Sequence, residues 1–436
     1  MNIIEFLTSY KRNVDEEKLF STLKEYKSNL TIDVIDFDEM DKWNISDTGD
    51  IFHESGKFFC IRGGESKNIE TGICEYQPII DQPEQGILGF VSRIKEGRIE
   101  ILGQAKIEPG NLQIVQYSPT VQATKSNYSR VHNGKRVIYI EKFIEESDGI
   151  EKVIFANKMV SRGFQSEHGY KFYKKANDNV HVYDNDTKIV DGRFVWLSLS
   201  DVRSLMSREH CANMDMRSVL ATIDFIGRSL SYNEIFTKVD TELTQLENEL
   251  LFSSLSEENS LCTFDEIHSW LTLKKDNKKI NQQMIPLKTL YENDWIISDK
   301  TLSNKNNKNF ELVAVKVSAN SREVSSWYQP IVVDNIPKVY AFLLKKINGI
   351  FHVLIQSVEE SFSWNGPELG PSFHSINSET LSLEKELSLF GVDKEQFTVI
   401  YDCFQSEEGG RFMEQKNRYM LLLLDDIEIN INDDYK

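Results

Sequence analysis

Paired cysteines and long apolar runs are both missing from this sequence of 436 residues. The five cysteines are scattered and show no C-x-x-C spacing, a pattern that favours a reducing cytoplasm and offers no metal site. No apolar run approaches the roughly 18 residues that a membrane-spanning helix requires. The N-terminus, MNIIEFLTSYKRNVDEEKLF, is amphipathic and acidic, unlike a secretory signal. These absences predict a cytoplasmic protein that does not enter a membrane.

Basic residues are also in deficit, because the formal net charge is −18. Such a charge argues against general nucleic-acid binding, which needs a basic surface. One stretch is different: no acidic residue lies between Glu108 and Glu141. This stretch contains the basic residues Lys125, Arg130, Lys135 and Arg136, together with the ring-bearing residues Tyr117, Tyr128 and His132. A local basic patch of this kind predicts phosphate binding, the alternative being an ordinary solvated loop.

The chain repeats itself at a displacement of 252 residues. YQPII begins at Tyr76 and YQPIV at Tyr328, and the same displacement places Trp43 on Trp295. Further on the displacement becomes 240, where FQSEHGYKF (164–172) aligns with FQSEEGGRF (404–412). Self-similarity at a fixed displacement indicates a duplicated unit. We therefore expect a first unit over residues 1–235 and a second unit over residues 236–436.

Strand and helix signals alternate within each unit. Apolar runs flank Glu96-Gly97 and Asn348-Gly349, a hairpin pattern. Residues 196–210 predict a serine-capped helix, and residues 213–223 predict a second helix capped by Asn213. The mixture predicts an α+β fold with mixed sheets. Asp215 and Arg217 lie in the first turn of the second helix, where a helix-terminal ion pair would explain them.

Several long motifs resemble the NDP-hexose 2,3-dehydratase family. They are HESGKFF (53–59), QPIIDQPEQGILGF (77–90), QAKIEPGN (104–111), QYSPTVQATKSNY (116–128), QSEHG (165–169), NMDMRSVL (213–220), SEEGGRF (406–412) and NRY (417–419). The resemblance implies two tandem Nudix-like α/β/α repeats, a homodimer, and a nucleotide-sugar pocket in each unit with one pocket doing the chemistry. It also implies dTDP-4-keto-6-deoxyglucose as substrate, a product passed to a 3-ketoreductase, and no cofactor.

The second unit departs from the family pattern. Ser361-Phe362 replaces Pro109-Gly110, and His374 replaces Gln122. The first unit keeps the full pattern, so we expect it to carry the working pocket. The Mg²⁺-binding box of Nudix hydrolases is not found, so metal-assisted pyrophosphate hydrolysis would lack its ligands. A Nudix-type NDP-sugar pyrophosphohydrolase and a non-catalytic nucleotide-sugar binding protein remain the alternatives.

Candidate site residues come from these motifs. The catalytic candidates are His53, Glu108 and Tyr128. Each has a structural alternative: a turn beside His53, a solvated strand end at Glu108, and packing of the Tyr128 ring. The substrate-binding candidates are Gln77, Gln104, Lys106, Gln122, Lys125, Asn127, Arg130, His132, Lys135 and Glu167. For Glu167, whose motif recurs at Glu407, a role in the fold is the alternative. No metal ligand is expected.

Overall fold

The fold is described from a computed structural model of the chain. The structure describes residues 14, 16–26, 30–96, 98–131, 134–147, 150–153, 159–223, 244–306, 310–319, 324–334, 336–374 and 383–436. The predicted boundary between the units, at residues 235 and 236, lies outside the described residues, as does His132.

The names first unit and second unit are kept for the predicted ranges 1–235 and 236–436. The described part of the first range contains four helices and fourteen strands. The helices are α1 (Glu16–Glu25), α2 (Lys125–Tyr128), α3 (Leu199–Met206) and α4 (Met214–Ala221). The strands are β1 (Thr31–Ile35), β2 (Trp43–Ile45), β3 (Ile51–His53), β4 (Cys60–Asn68), β5 (Cys74–Asp81), β6 (Gly86–Lys95), β7 (Arg98–Ile107), β8 (Val115–Ser118), β9 (Val121–Thr124), β10 (Ile144–Ser147), β11 (Ile150–Val153), β12 (Met159–Ser166), β13 (Ala176–Tyr183) and β14 (Phe194–Ser198).

The described part of the second unit continues the numbering. Its helices are α5 (Gln245–Leu255), α6 (Phe264–Asp276) and α7 (Leu383–Leu389). Its strands are β15 (Ile280–Ile285), β16 (Trp295–Ile297), β17 (Thr301–Asn304), β18 (Glu311–Ser318), β19 (Ser326–Val333), β20 (Val339–Ile347), β21 (Ile350–Leu354), β22 (Gln356–Val358), β23 (Glu368–Gly370), β24 (Phe373–His374), β25 (Phe397–Ser406), β26 (Phe412–Met413) and β27 (Lys416–Leu424). Short 3-10 turns lie at Phe37–Glu39, Ile140–Lys142, Glu257–Asn259 and Leu287–Glu292.

A mixed sheet forms the centre of each unit. In the first unit the order is β12-β13-β6-β7-β14, and in the second it is β25-β27-β20-β21. The β13/β6 and β27/β20 pairs are parallel, whereas the other neighbours in these two sheets are antiparallel. In the first unit, α1, α3 and α4 cover one face of the sheet. Residues 137–144 cover the other face. The mixed α/β character that the sequence predicted is therefore confirmed.

The outer sheets exchange strands between the units. Strand β1 of the first unit pairs with β18 of the second, while β15 of the second unit pairs with β4 of the first. Side chains repeat this reciprocity: Trp43 Nε1 donates to the Tyr328 carbonyl, and Trp295 Nε1 donates to the Tyr76 carbonyl, both at 2.7 Å. Apolar side chains of both units share one core around these indoles. The units are thus joined through their interiors.

The local predictions for turns and caps agree with the structure. At Asn348-Gly349 both residues have positive φ, at 52° and 83°, as a two-residue hairpin turn of this type requires. Helix α3 is capped by Ser198, whose side chain accepts from the Asp201 amide. Helix α4 is capped by Asn213, whose side chain accepts from the Met216 amide. None of the helices among the described residues is long and apolar enough to cross a membrane.

Candidate active site

Glu108 lies immediately after β7 and is 3 % exposed. Side chains alternate between the two faces of a strand, so Gln104, Lys106 and Glu108 project to one side. Glu108 Oε1 accepts from Gln122 Nε2 at 2.8 Å, and Lys106 Nζ lies 3.8 Å away. The alternative of a solvated strand end at Glu108 is therefore wrong: this carboxylate is buried and held by polar partners.

The start of helix α4 completes this arrangement. Asn213 caps the helix, and its Nδ2 also donates to Gln122 Oε1 at 2.9 Å and reaches Glu108 Oε2 at 3.4 Å. Asp215 follows in the first turn and is 3 % exposed. Burial, together with Glu408 and Glu108, raises the pKa of the Asp215 carboxyl well above its usual range.

The predicted ion pair between Asp215 and Arg217 is wrong. The Arg217 guanidinium donates instead to the backbone carbonyls of Ala212 at 3.1 Å and Ser406 at 2.8 Å. Asp215 therefore belongs with the buried carboxylates, a placement that the helix-cap signal in the sequence did not indicate.

The second unit inserts a turn beside Glu108. The Gly110 amide donates to the Gly409 carbonyl at 2.7 Å, and the Glu414 amide donates back to the Gly110 carbonyl at 2.9 Å. A Cβ at Gly110 would overlap the Phe412 carbonyl oxygen, so only glycine permits this approach. A Cβ at Gly409 would likewise overlap Asn111 Oδ1. Gly110 and Gly409 are thus explained by the contact between the units.

This contact brings Glu408 to the site. A Cβ built on Gly410 would lie 3.2 Å from Glu408 Oε1 and 3.7 Å from Glu108 Oε1, so the two carboxylates flank the same point. Burial raises the pKa of Glu408; the Arg411 charge opposes this rise and the neighbouring Glu108 adds to it. Sequence analysis missed Glu408, although the repeated QSE motif marked its neighbourhood.

Glu167 and Lys175 extend the cluster on the first-unit side. Burial and the Glu408 carboxylate raise the pKa of Glu167 to about 7, and Asn177 Nδ2 donates to it. Burial lowers the pKa of Lys175, whose Nζ donates to the Glu84 carbonyl. A carboxyl with a pKa near 7, such as Glu167, can both accept and release a proton at neutral pH, so the cluster is suited to general acid–base chemistry.

A cavity of about 500 Å³ lies beside this cluster. Its lining includes Gln104, Lys106, Gln122 and Lys135, four of the predicted substrate-binding residues, together with Arg136 and Arg193. Lys106 and Gln122 therefore line the cavity and contact Glu108 at the same time. Asp191 also lines the cavity and pairs with Arg193 at 3.0 Å. Four basic side chains against one carboxylate suit an anionic ligand such as a diphosphate.

A second cavity of about 440 Å³ lies between the units. It holds the predicted residues His53 and Asn127 among aromatic walls that include Trp43 and Tyr328. The His53 ring packs edge-on against Trp43, its Nδ1 lies 2.8 Å from Ser55 Oγ, and burial lowers its pKa. His53 thus occupies a different cavity from the one beside Glu108.

The remaining predicted residues are dispersed. Lys125 and Tyr128 line a smaller cavity of about 150 Å³. Arg130 is exposed with a positive φ of 59°. Gln77 Nε2 donates to the Tyr170 carbonyl, and its counterpart Gln329 makes a similar bond to the Gly410 carbonyl at 2.8 Å. The structure therefore places Lys106, Gln122 and Glu167 around Glu108 and puts Gln104 and Lys135 in the adjoining cavity. His53 and Tyr128 are separated from Glu108.

The counterpart of the site in the second unit differs in chemistry. Val358 stands where Lys106 does, and His374 stands where Gln122 does. Glu360, the counterpart of Glu108, accepts from the Gly169 amide at 2.6 Å. His168, the counterpart of Glu408, lies 2.8 Å from Glu407. Within the described residues no group of three potential ligands is placed to hold a metal ion in either unit.

The mixed α/β fold places buried carboxylates beside a basic cavity, an arrangement suited to proton transfer on an anionic substrate. The sequence model of the NDP-hexose 2,3-dehydratase family matches residues 16–223 and 264–436. The chain belongs to this family.

Curated relatives include three proteins named dTDP-4-dehydro-6-deoxy-alpha-D-glucopyranose 2,3-dehydratase. The Saccharopolyspora spinosa protein is 32 % identical over 89 % of this chain and 78 % of its own length. The Amycolatopsis orientalis protein is 30 % identical over 91 % and 78 %. The Streptomyces violaceoruber protein is 33 % identical over 89 % and 82 %.

Proposed function

We propose that this protein is a hydro-lyase that removes water across C2 and C3 of dTDP-4-keto-6-deoxyglucose, giving the 3,4-diketo-2,6-dideoxy sugar nucleotide. The names of the three relatives support the substrate and the reaction. The observation that carries the proposal is that Lys106 and Gln122 line the basic cavity and also contact the buried Glu108. A ligand held in that cavity would present its uncharged end to the carboxylates.

The basic lining supports a place for the diphosphate. Lys135 and Arg136 are exposed at the cavity, and Lys106 is 9 % exposed at its inner side. Charge-assisted hydrogen bonds from such groups are the usual way in which proteins hold phosphate oxygens. With the diphosphate against Lys135 and Arg136, the hexose extends toward Glu108 and Gln122.

The chemistry follows from the ketone at C4. The carbonyl acidifies the C3 hydrogen, because the anion left after its removal is delocalised onto the C4 oxygen. A base takes the C3 proton, the C2 hydroxyl leaves as water with a proton from an acid, and the enol tautomerises to the 3,4-diketone. General acid–base steps of this kind contribute roughly 10²–10⁴-fold each. The sum of these steps is loss of water, so neither a nicotinamide nor a flavin is needed.

We propose that the reaction takes place in the first unit. It keeps Lys106 and Gln122 beside Glu108, whereas the second unit has Val358 and His374 at the corresponding positions. A site without the lysine lacks the cation that links its carboxylate to the diphosphate cavity. The second pocket is therefore proposed to be degenerate.

The duplicated, Nudix-like architecture is also part of the proposal, with units at residues 1–235 and 236–436. Reciprocal contacts support the duplication: Ile80 and Val332 amides bond to the Lys171 and Arg411 carbonyls, both at 2.9 Å. The paired residues are related by the displacements of 252 and 240 that the sequence repeats. Family resemblance supports a homodimer in the cytoplasm and delivery of the reactive diketone to a 3-ketoreductase.

Incubation with dTDP-4-keto-6-deoxyglucose in D₂O tests the function. We expect a product lighter by one water and carrying deuterium at C2, with turnover unchanged by a metal chelator. Release of thymidine monophosphate that stops on chelation would identify a pyrophosphohydrolase. Tight binding of the sugar nucleotide with no change in its mass or deuterium content would identify a binding protein.

A further inference from the structure

Two carboxylates from different units meet at Gly410, and their surroundings differ. Glu108 accepts from Gln122 and Asn213 and has Lys106 nearby. The Glu408 carboxylate makes no hydrogen bond or ion pair with any residue that the structure describes, although its backbone carbonyl accepts from the Arg411 and Phe412 amides. One carboxylate is thus held by hydrogen-bond donors, while the other is under the influence of the Arg411, Lys175 and Lys106 charges without a hydrogen bond to them.

An unpartnered amide against the turn that carries Glu408 independently indicates a ligand. Asn111 is 6 % exposed, and its Oδ1 and Nδ2 have no hydrogen-bond partner within the described chain. A Cβ on Gly409 would lie 3.0 Å from the Asn111 Cγ, so the amide lies against the SEEGG turn that carries Glu408. Buried polar groups are normally paired, so an orphaned amide here is explained by a polar ligand such as a sugar hydroxyl.

The other copy of the repeat has no carboxyl at the position of Glu408. At the displacement of 240, His168 occupies the position of Glu408, and its Nε2 is 2.8 Å from Glu407 Oε2. The position therefore carries an engaged imidazole in one copy and an unengaged carboxyl in the other. This difference makes Glu408 specific to the site that contains Glu108.

We propose that Glu408, supplied by the second unit, is the general acid of the first-unit site and that Glu108 is the base. This inference rests on the proposed dehydratase function. Glu108 takes the proton from C3, the C3–H electron pair forms the enolate, the C2–O bond breaks, and the Glu408 proton completes the water. Burial raises the pKa of the Glu408 carboxyl, with Arg411 opposing the rise and Glu108 adding to it. A raised pKa favours the protonated form that a general acid needs.

A leaving group that needs no acid tests this assignment. Glu408→Gln should lose water elimination from the natural substrate by roughly 10²–10⁴-fold. With the 2-deoxy-2-fluoro analogue of the 4-keto sugar nucleotide, fluoride leaves without protonation, so its release should stay within about tenfold of wild type. Glu108→Gln should lose both reactions, because removal of the C3 proton precedes both. Glu414→Gln, an exposed glutamate of the same turn region, is the matched control.

The outcomes separate the inference from the function beneath it. Equal losses of water and fluoride release in Glu408→Gln, or normal water elimination, would overturn the role of Glu408 while leaving the dehydratase intact. A wild-type enzyme that releases neither would refute the dehydratase itself. Melting curves and dTDP binding of each variant check folding. If the glutamine variant does not fold, Glu408→Asp, which keeps a carboxyl one methylene further back, should show slowed water loss with normal fluoride release.

Discussion

The contact between the two units depends on Gly110, and adding a single methyl group there should strongly destabilise the protein. In Gly110→Ala the new Cβ would overlap the Phe412 carbonyl oxygen and lie 2.6 Å from its carbonyl carbon and 2.9 Å from the Gly409 oxygen. All three are backbone atoms of the second unit, so no side-chain rotation can relieve the contact. The SEEGG turn must move away.

The expected cost follows from what this movement breaks. Overpacking in a tight interior costs roughly 1–3 kcal/mol. The two hydrogen bonds that Gly110 exchanges with Gly409 and Glu414 each contribute roughly 0.5–1.5 kcal/mol. Together these terms come to about 2–6 kcal/mol. Activity should fall as well, since the same turn carries Glu408.

Urea denaturation followed by circular dichroism measures the loss as a lower midpoint. The matched control is Gly72→Ala, because a Cβ there meets nothing within 4 Å and only the positive φ of 71° opposes it. That strain costs about 1–2 kcal/mol. If Gly110→Ala unfolded at the same urea concentration as Gly72→Ala, the close approach of the two turns would be refuted.

Further predictions concern the site and its charges. Glu108→Gln should abolish dehydration in a coupled 3-ketoreductase assay while Glu360→Gln retains it, and the reverse result would place the reaction in the second unit. Replacing both Lys135 and Arg136 by alanine should raise KM at least tenfold with kcat little changed, because about 1.5 kcal/mol of charge-assisted hydrogen bonding is lost. A drop in kcat alone would contradict phosphate binding at these residues. Glu407 is 2 % exposed. Burial opposes a lower pKa, but His168 together with Arg217 and Asn417 lowers the pKa of the Glu407 carboxyl. The ionised carboxylate therefore stabilises the fold above the unfolded pKa near 4.5, and this stabilisation is lost as pH falls. Glu407→Gln should therefore destabilise the protein by roughly 3–5 kcal/mol at pH 7. The difference in urea midpoint between wild type and this variant should narrow below pH 4.5. A difference that does not change with pH, or one equal to that caused by the exposed Glu414→Gln, would contradict this.

Elements with local causes were predictable. The hairpin at Asn348-Gly349 and the caps at Ser198 and Asn213 follow from backbone freedom and short side-chain hydrogen bonds, which need no distant partner. The family motifs also named Glu108, Lys106 and Gln122 as site candidates, and the structure brings these three side chains together. Glu167 was singled out for the repeated QSE motif, and the structure places it in the carboxylate cluster.

Groupings that depend on long-range pairing were not predictable. Motif membership alone placed His53 and Tyr128 with Glu108, whereas the sheet connections assign the three residues to different surroundings. Asp215 resembled an ordinary helix-cap acid, because nothing local reveals the carboxylates that face it. Its burial is a property of the assembled units.

The sequence by itself determined the repeat, the turns, the helix caps and the family, since each is written in neighbouring residues or in a displacement that can be counted. Only the tertiary structure decided that β1 and β15 exchange sheets and that Glu408 reaches Glu108 across 300 residues. Strand pairing and close packing select partners by shape and hydrogen bonding across the whole chain. No local signal encodes which of several carboxylates will share one point in space.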